Sequence, residues 1–386
     1  MRICLVYDCL FPHTVGGAER WYRNLGERLA SEGHQVTYLT LRQWERGADP
    51  GVVGVDVRAV GPRMSLYASP GRRRVLPPLV FGAGVLWHLV RHGRRYDAVH
   101  TASFPYFSLL AATAARPLGS YRLVVDWHEV WTRAYWREYL GRLGGAIGWL
   151  VQLACVRSPQ QAFCFSRLHE ARLRDAGLRG ELTRLSGEYV GPLQVSPTVA
   201  TEPLVVFAGR HIPEKRVPAI LPALHEARRV LPQLRASILG DGPDRAKVLQ
   251  LRGDLGLVDV AEVPGFVSAE AVRDALARAL CLLLPSRREG YGLIVVEAAS
   301  HGTPSIVVAG PDNAAVELVE DGENGFVAPS AAPADLAAAI LRVHASAAQL
   351  RESTAAWFSR NAHRLSMEAS LEVVLGAYEP DPSARS

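Results

Sequence analysis

A chain of 386 residues with 48% hydrophobic and 21% charged side chains has room for two cores and the composition of an ordinary globular enzyme, which excludes a disordered or fibrous protein. The net charge of +5 is unevenly placed. Residues 1–190 hold 25 Arg, no Lys and 15 acidic residues, a net of +10, while the remainder holds 18 basic and 23 acidic, a net of −5. The basic half suits an acidic acceptor or an anionic membrane surface, with a solvated Arg-rich surface as the plainer alternative. No finger spacing, recognition helix or aromatic RNA-binding strand accompanies it, so no nucleic acid partner is expected. The five cysteines (Cys4, Cys9, Cys155, Cys164, Cys281) are scattered among apolar runs without a C-x-x-C pair, which points to a reduced compartment and against a metal site.

Taken in chain order, both halves alternate short apolar strands with amphipathic helices, the pattern of parallel α/β sheets. MRICLVYDCLF runs directly into an alternating strand over residues 2–7 without an export signal, and the protein is expected to be cytoplasmic. A helix over 18–32 and strands over 36–41, 98–101 and 123–127 follow. The apolar stretches 75–90 and 143–156 are too short or too broken to cross a bilayer of about 30 Å. Residues 191–203, rich in Pro, Thr and Ser, form the expected linker. Beyond it come a strand over 204–208, a helix over 217–230, and strands over 235–239, 281–285 and 305–308. The fold class is thus α/β, with two doubly wound domains facing across a deep cleft outside the carboxyl ends of their strands. The amino-terminal domain is set at 1–192 and the carboxyl-terminal domain at 203–362.

The residues that carry chemistry follow the expected strand ends. After the first strand, Gly16 and Gly17 open a helix, where two glycines let the backbone approach an anion; a tight turn needing positive φ is the alternative. They do not form the G-x-G-x-x-G of a dinucleotide fold, which weakens an oxidoreductase reading. His128 stands at a strand tip in Asp126-Trp127-His128-Glu129. In the second half Arg210 and Lys215 straddle a turn and form a clamp for a diphosphate, against a solvated basic loop. Val263–Val267 offers backbone contacts and a flat side for a nucleobase. The segment Pro285-Ser-Arg-Arg-Glu-Gly-Tyr-Gly-Leu-Ile-Val-Val-Glu297 says most. A buried strand ends at Pro285 and a Gly-bearing loop opens a helix near Gly292 or Leu293, aiming free N–H groups at a phosphate. Glu289 and Glu297 bracket that turn, and carboxylates beside a phosphate site are good acceptors for sugar hydroxyls. A generic doubly wound turn with dipole-favoured Glu is the alternative for this segment alone.

With these motifs on the page, the chain resembles the retaining, nucleotide-sugar-dependent glycosyltransferases of the GT-B fold, specifically glycosyltransferase family 4 (glycosyl transferases group 1). The likeness rests on Gly16-Gly17-Ala18-Glu19, Trp127-His128-Glu129, Gly209-Arg210 with Glu214-Lys215, Gly240-Asp241-Gly242-Pro243, the pair Glu289 and Glu297, and Asp321-Gly322-Glu323-Asn324-Gly325-Phe326. It implies an amino domain for the acceptor and a carboxyl domain for the donor, with a terminal helix over about 366–380 crossing back. It further implies catalytic His128, Arg210, Lys215 and Glu289. Donor-binding residues would be Gly16, Gly17, Arg210, Lys215, Val267, Glu289, Gly290, Tyr291, Gly292, Leu293, Ile294 and Glu297, with no metal and no cofactor.

The implied reaction moves a hexosyl unit from a UDP- or GDP-linked sugar to a glycan, lipid-linked or small-molecule acceptor. It proceeds by front-face attack, unlike the two-carboxylate scheme of glycoside hydrolysis. A GT-B nucleotide-sugar epimerase and a non-catalytic nucleotide-sugar binder are the alternatives. Two departures stand out: Tyr291 replaces the usual Phe, and Pro311–Glu317 replaces a Gly-Pro-Glu-like run, so Asn313 and Glu317 are expected on a sugar- or acceptor-facing edge. Peripheral contact with an anionic membrane is expected through Trp131, Tyr135, Trp136 and Tyr139, an ordinary core helix pair being the alternative.

Overall fold

A computed structural model describes residues 1–68, 72–195 and 200–379. The chain forms two compact units: Met1–Ala68, Arg72–Leu185 and residues 370–379 make the first, and Ser186–Ala369 the second.

In the first unit the order is β1 (Arg2–Val6), α1 (Gly17–Ser31), β2 (Gln35–Leu41), β3 (Val55–Gly61), the two-residue strands β4 (Tyr67–Ala68) and β5 (Arg72–Arg73), α2 (Leu76–His92), β6 (Ala98–Ala102), α3 (Phe107–Gly119), β7 (Arg122–Trp127), α4 (Arg133–Val156), β8 (Gln160–Cys164), α5 (Arg167–Asp175) and β9 (Gly180–Arg184). The strands form a parallel sheet in the order β3-β2-β1-β6-β7-β8-β9. In β1 and β6 nearly every side chain is buried, as expected of strands covered on both faces. Helix α1 buries Trp21, Tyr22, Leu25 and Leu29 along one stripe.

The second unit runs β10 (Leu204–Ala208), α6 (Ile220–Ala227), β11 (Arg235–Leu239), α7 (Arg245–Asp254), β12 (Ala261–Gly265), α8 (Ala269–Arg278), β13 (Cys281–Leu284), β14 (Arg288–Glu289), α9 (Leu293–Ala299), β15 (Ser305–Val308), β16 (Asp312–Asn313), β17 (Gly325–Ala328), α10 (Pro333–Ala345), α11 (Ala347–Leu365) and α12 (Met367–Tyr378). Its six-stranded parallel sheet has the order β12-β11-β10-β13-β15-β17. The strand order therefore reverses between β1 and β6 in the first sheet and between β10 and β13 in the second. Crevices at the carboxyl ends of strands open at such reversals.

The chain enters the second unit after Leu185, ahead of residues 191–203. Tyr189 explains this: its N–H donates to the Leu365 carbonyl (3.1 Å), and its own carbonyl accepts from Met367 (2.9 Å). Residues 196–199 of the expected linker and residue 380 of the expected terminal helix lie outside the described residues. The helix expected over 217–230 is shorter: a 3₁₀ turn at Val217–Ala219 precedes α6, which stops at Ala227. Helix α12 returns its last turns to the first unit, where the Tyr378 hydroxyl hydrogen-bonds Nδ1 of His100 at 2.6 Å.

Candidate functional site

The second unit gathers charged side chains at its strand reversal. Lys215 follows β10, Glu289 follows β13, and the Lys215 ammonium donates to Oε1 of Glu289. The same oxygen accepts from the Ser286 hydroxyl at 2.6 Å. Glu289 is 7% exposed and Ser286 wholly buried, so the carboxylate sits largely out of water with two donors on one oxygen. A buried carboxylate is tolerated only when paired and hydrogen-bonded in this way. The loops themselves are tied together, since the Arg287 N–H donates to the Glu214 carbonyl at 2.8 Å. Ser286 escaped the sequence reading; its position three residues before Glu289, just past the strand, was the available signal.

The loops after β10, β11 and β12 are also joined through their backbones. Gly209 donates to Leu239, His211 to Asp241, and Gly240 to Gly265, at 2.8–3.0 Å. Gly240 is required here: its φ is +117°, and a Cβ would lie 1.9 Å from the Gly209 carbonyl oxygen. Arg210 is exposed on this rim and Val267 follows β12 half-buried, beside the exposed ring of Phe266.

Helix α9 begins where the sequence placed it. Gly292 is its N-terminal flank at φ +102°, and a Cβ there would meet that of Ala315 at 2.7 Å, so only glycine fits. Leu293 and Ile294 are half-buried in the first turn, Gly290 lies in the loop, and Glu297 stands half-exposed one turn in. The Tyr291 ring is buried and its hydroxyl donates to the Ser186 carbonyl at 2.8 Å; burial first, then Glu188, pushes its pKa up. Asn313 is not on a ligand-facing edge: it is 1% exposed, donates to the Ser286 and Val308 carbonyls, and accepts from the Ala315 N–H. It braces β14 against β16, where Glu289 pairs with Asn313. Glu317 is exposed.

In the first unit, α1, opening at Gly17, packs its first turns against the strand end that carries His128. Trp21, one turn in, donates its indole N–H to Oδ2 of Asp126 at 2.7 Å. Tyr22 meets the His128 ring edge-on at 6.3 Å, and His128 stacks on Phe165 at 4.7 Å. The two glycines do not serve a turn with positive φ: Gly16 is extended at φ −173°, and what a Cβ there would strike is the Glu19 carboxylate, at 2.2 Å. Asp126 is wholly buried, with His100 Nε2 at 2.8 Å from Oδ1. Burial alone would raise its pKa, but His100, His128 and the Trp21 indole outweigh that and hold it below the usual aspartate value.

Of the four aromatic residues expected at an interface, Tyr135 and Trp136 are core residues instead, while Trp131 and Tyr139 are half-buried. Tyr135 and Trp136 are 6% and 4% exposed. They pack with Trp131, and Trp136 also with Tyr106, around Gln152. Gln152 Oε1 accepts from Tyr106 (2.9 Å), Trp136 (3.1 Å) and the Trp131 N–H (3.1 Å). Helix α4 is long and apolar enough by length and composition to cross a membrane, but Gly141 breaks it at φ 76°, ψ −174°. The two arms press together, for a Cβ on Gly145 would lie 2.6 Å from Arg137 Cα. The residues this leaves outward are Leu140, Leu143, Ile147 and Leu150, the second 77% exposed. Arg133, Arg137 and Arg142 line a cavity of about 500 Å³ in the bend. Among the described residues no group of three or more His, Cys, Asp or Glu is arranged to hold a metal ion.

Comparison with a solved structure places this architecture. Anabaena HepE in complex with UDP and glucose superimposes with a TM-score of 0.75 over 97% of this chain and 98% of that one, at 19% identity. Two parallel α/β units with this likeness define a GT-B fold. Residues 15–185 match the model of Glycosyltransferase Family 4 and residues 193–362 that of Glycosyl transferases group 1. Together the two models span most of the chain, which belongs to the GT-B glycosyltransferases. Among curated relatives, alpha-D-kanosaminyltransferase of Streptomyces kanamyceticus is 33% identical over 36% of this chain, a stretch that spans only 36% of that protein. MMP alpha-(1->4)-mannosyltransferase of Mycolicibacterium hassiacum is 27% identical over 87% of each chain.

Proposed function

We propose that this protein is a retaining glycosyltransferase that moves a hexosyl unit from a UDP- or GDP-linked sugar to a glycan, lipid-linked or small-molecule acceptor, acting in the cytoplasm. The observation that carries the reading is the Lys215–Glu289–Ser286 cluster at the strand reversal of the second unit, where a buried acid and a cation stand together among the loops at the carboxyl ends of the strands. The HepE structure, solved with UDP and glucose, supports a nucleotide-sugar donor. In this reading the second unit takes the donor and the first the acceptor.

Glu289 accepts from donor-sugar hydroxyls and Glu297 from the ribose. Lys215, released from Glu289 as the sugar engages it, joins Arg210 in neutralising the diphosphate. The backbones of Gly17, Gly290, Tyr291, Gly292, Leu293 and Ile294 complete the donor contacts with Gly16 and Val267, and His128 serves the reacting centre. The acceptor oxygen bonds to the anomeric carbon on the face from which phosphate leaves, and the departing phosphate oxygen takes the acceptor proton. Positioning and charge stabilisation supply the catalysis, with no metal or cofactor. The five buried free cysteines support a reducing compartment. Peripheral contact with an anionic membrane belongs to the same proposal, through Leu143, Ile147 and Leu150 of α4 with Arg133, Arg137 and Arg142 beside them.

The test is a thermal-shift screen against nucleoside diphosphates and their sugars, since a ligand that binds only the folded form raises its melting temperature. A UDP or GDP compound should raise it, and donor turnover should follow. Glu289→Ala should lower kcat/KM by about 10²-fold or more with the fold intact. Undiminished turnover in that variant would refute the assignment.

A further inference from the structure

We infer that the outward face of α2 is a docking surface for an anionic lipid bilayer. The helix has seventeen residues, and Leu76, Leu79, Ala83, Leu86, Trp87 and Val90 all point to solvent. Their spacing of three, four, three, one and three residues places them along one stripe of a helix. The opposite stripe is Phe81, Gly82, Val85, His88 and Leu89, which is buried in the first unit. An apolar stripe is thus left facing water on a helix whose core-facing side is already satisfied. Trp87 and Leu76 are 58% and 60% exposed. Single exposed apolar residues need no explanation, but a continuous row along about four turns does.

Charge complementarity names the occupant. Residues 57–96 contain eight Arg (Arg58, Arg63, Arg72, Arg73, Arg74, Arg91, Arg94, Arg95) and no Asp, Glu or Lys. Three of them, Arg91, Arg94 and Arg95, are exposed at the carboxyl end of α2, and Arg74 is exposed just before it. The Arg91 guanidinium lies 4.1 Å from the centre of the Trp87 ring, holding a cation against the most lipid-suited side chain of the row. An aromatic and aliphatic stripe bounded at both ends by arginines is the arrangement of a helix that lies in the headgroup plane of an anionic membrane. A second copy of this chain is a poor occupant, because pairing the two faces would bring equal positive clusters together.

This surface is separate from the α4 face, so the two are tested apart. The full chain is co-sedimented with vesicles of phosphatidylcholine alone and of phosphatidylcholine with phosphatidylglycerol, at low and high salt. Binding should require phosphatidylglycerol and weaken with salt. Trp87→Glu with Val90→Glu, two solvent-facing changes that leave the melting temperature in place, should reduce it about tenfold or more, as should Arg94→Ser with Arg95→Ser. Donor turnover on a water-soluble acceptor should stay unchanged in both.

Three results overturn the inference. The first is wild-type binding in the Trp87→Glu, Val90→Glu variant, which with loss in Leu143→Glu, Leu150→Glu leaves the α4 proposal standing. The second is no binding of the wild type to phosphatidylglycerol vesicles at low salt, which sinks both membrane surfaces and leaves the transferase reading to its own assay. The third is self-association in sedimentation velocity that the α2 variant abolishes, which assigns the face to a second copy.

Discussion

At the scale of single residues, the proposed chemistry of the second unit rests on Glu289 being buried beside a cation. Lys215 and Ser286 offset its desolvation by donating to the same carboxylate oxygen. Lys215→Ala therefore leaves a carboxylate that is 7% exposed with one donor fewer, and should destabilise the protein by about 1–3 kcal/mol. Lys215→Ala combined with Glu289→Ala should cost less than the two single changes summed, by about 0.5–3 kcal/mol, in a double-mutant cycle read by denaturant unfolding. Additive costs would mean that the ion pair does not couple the two loops.

Asp126 presents the same balance in the first unit, where burial is outweighed by His100, His128 and Trp21. Because its folded pKa is depressed, its stabilisation is complete above the unfolded value near 3.9 and is lost as pH falls through the lower folded value. Asp126→Asn should remove about 3–5 kcal/mol at neutral pH and flatten the acid limb of the stability curve, measured by urea unfolding from pH 7 downward.

At the scale of elements, α4 shows how packing overrides a local pattern. Its 24 residues are by length and composition one apolar helix, yet Gly141, Gly145 and Gly148 let it fold on itself. The Gly148 Cα faces the Trp136 ring so closely that a Cβ would lie 2.3 Å from it. Gly148→Ala should therefore overpack the bend and cost about 1–3 kcal/mol, seen as a lowered melting temperature. An unchanged transition would show that the bend can relax at no cost. The strands illustrate the complementary case. Fully buried β13 and β15 and largely buried β10 are legible as apolar runs, whereas the edge strands β3 and β9 carry alternating polar residues and escape that signal.

At the scale of the whole molecule, the chain holds two units of comparable internal packing, with α12 returning to the first. Two such units need not unfold as one. If the second holds the donor, calorimetry with and without UDP should show two transitions of which UDP raises one. Glu289→Ala should reduce that rise, while Asp126→Asn should lower the other transition. A single transition shifted equally by every change would argue that the units unfold together.

The amino-acid sequence by itself determined the parallel α/β class, most strand positions and the start of α9 at Gly292, because strand and helix periods and glycine turns are local properties. It also supplied Lys215 and Glu289 as candidates, though with separate tasks. That they touch each other was settled only by the tertiary structure, since 74 residues separate them and the strand order brings β10 beside β13. Tertiary packing likewise buried Tyr135, Trp136 and Asn313 and turned Leu143 and Trp87 outward. Burial depends on what lies opposite a side chain, and a one-dimensional pattern does not contain its opposite face.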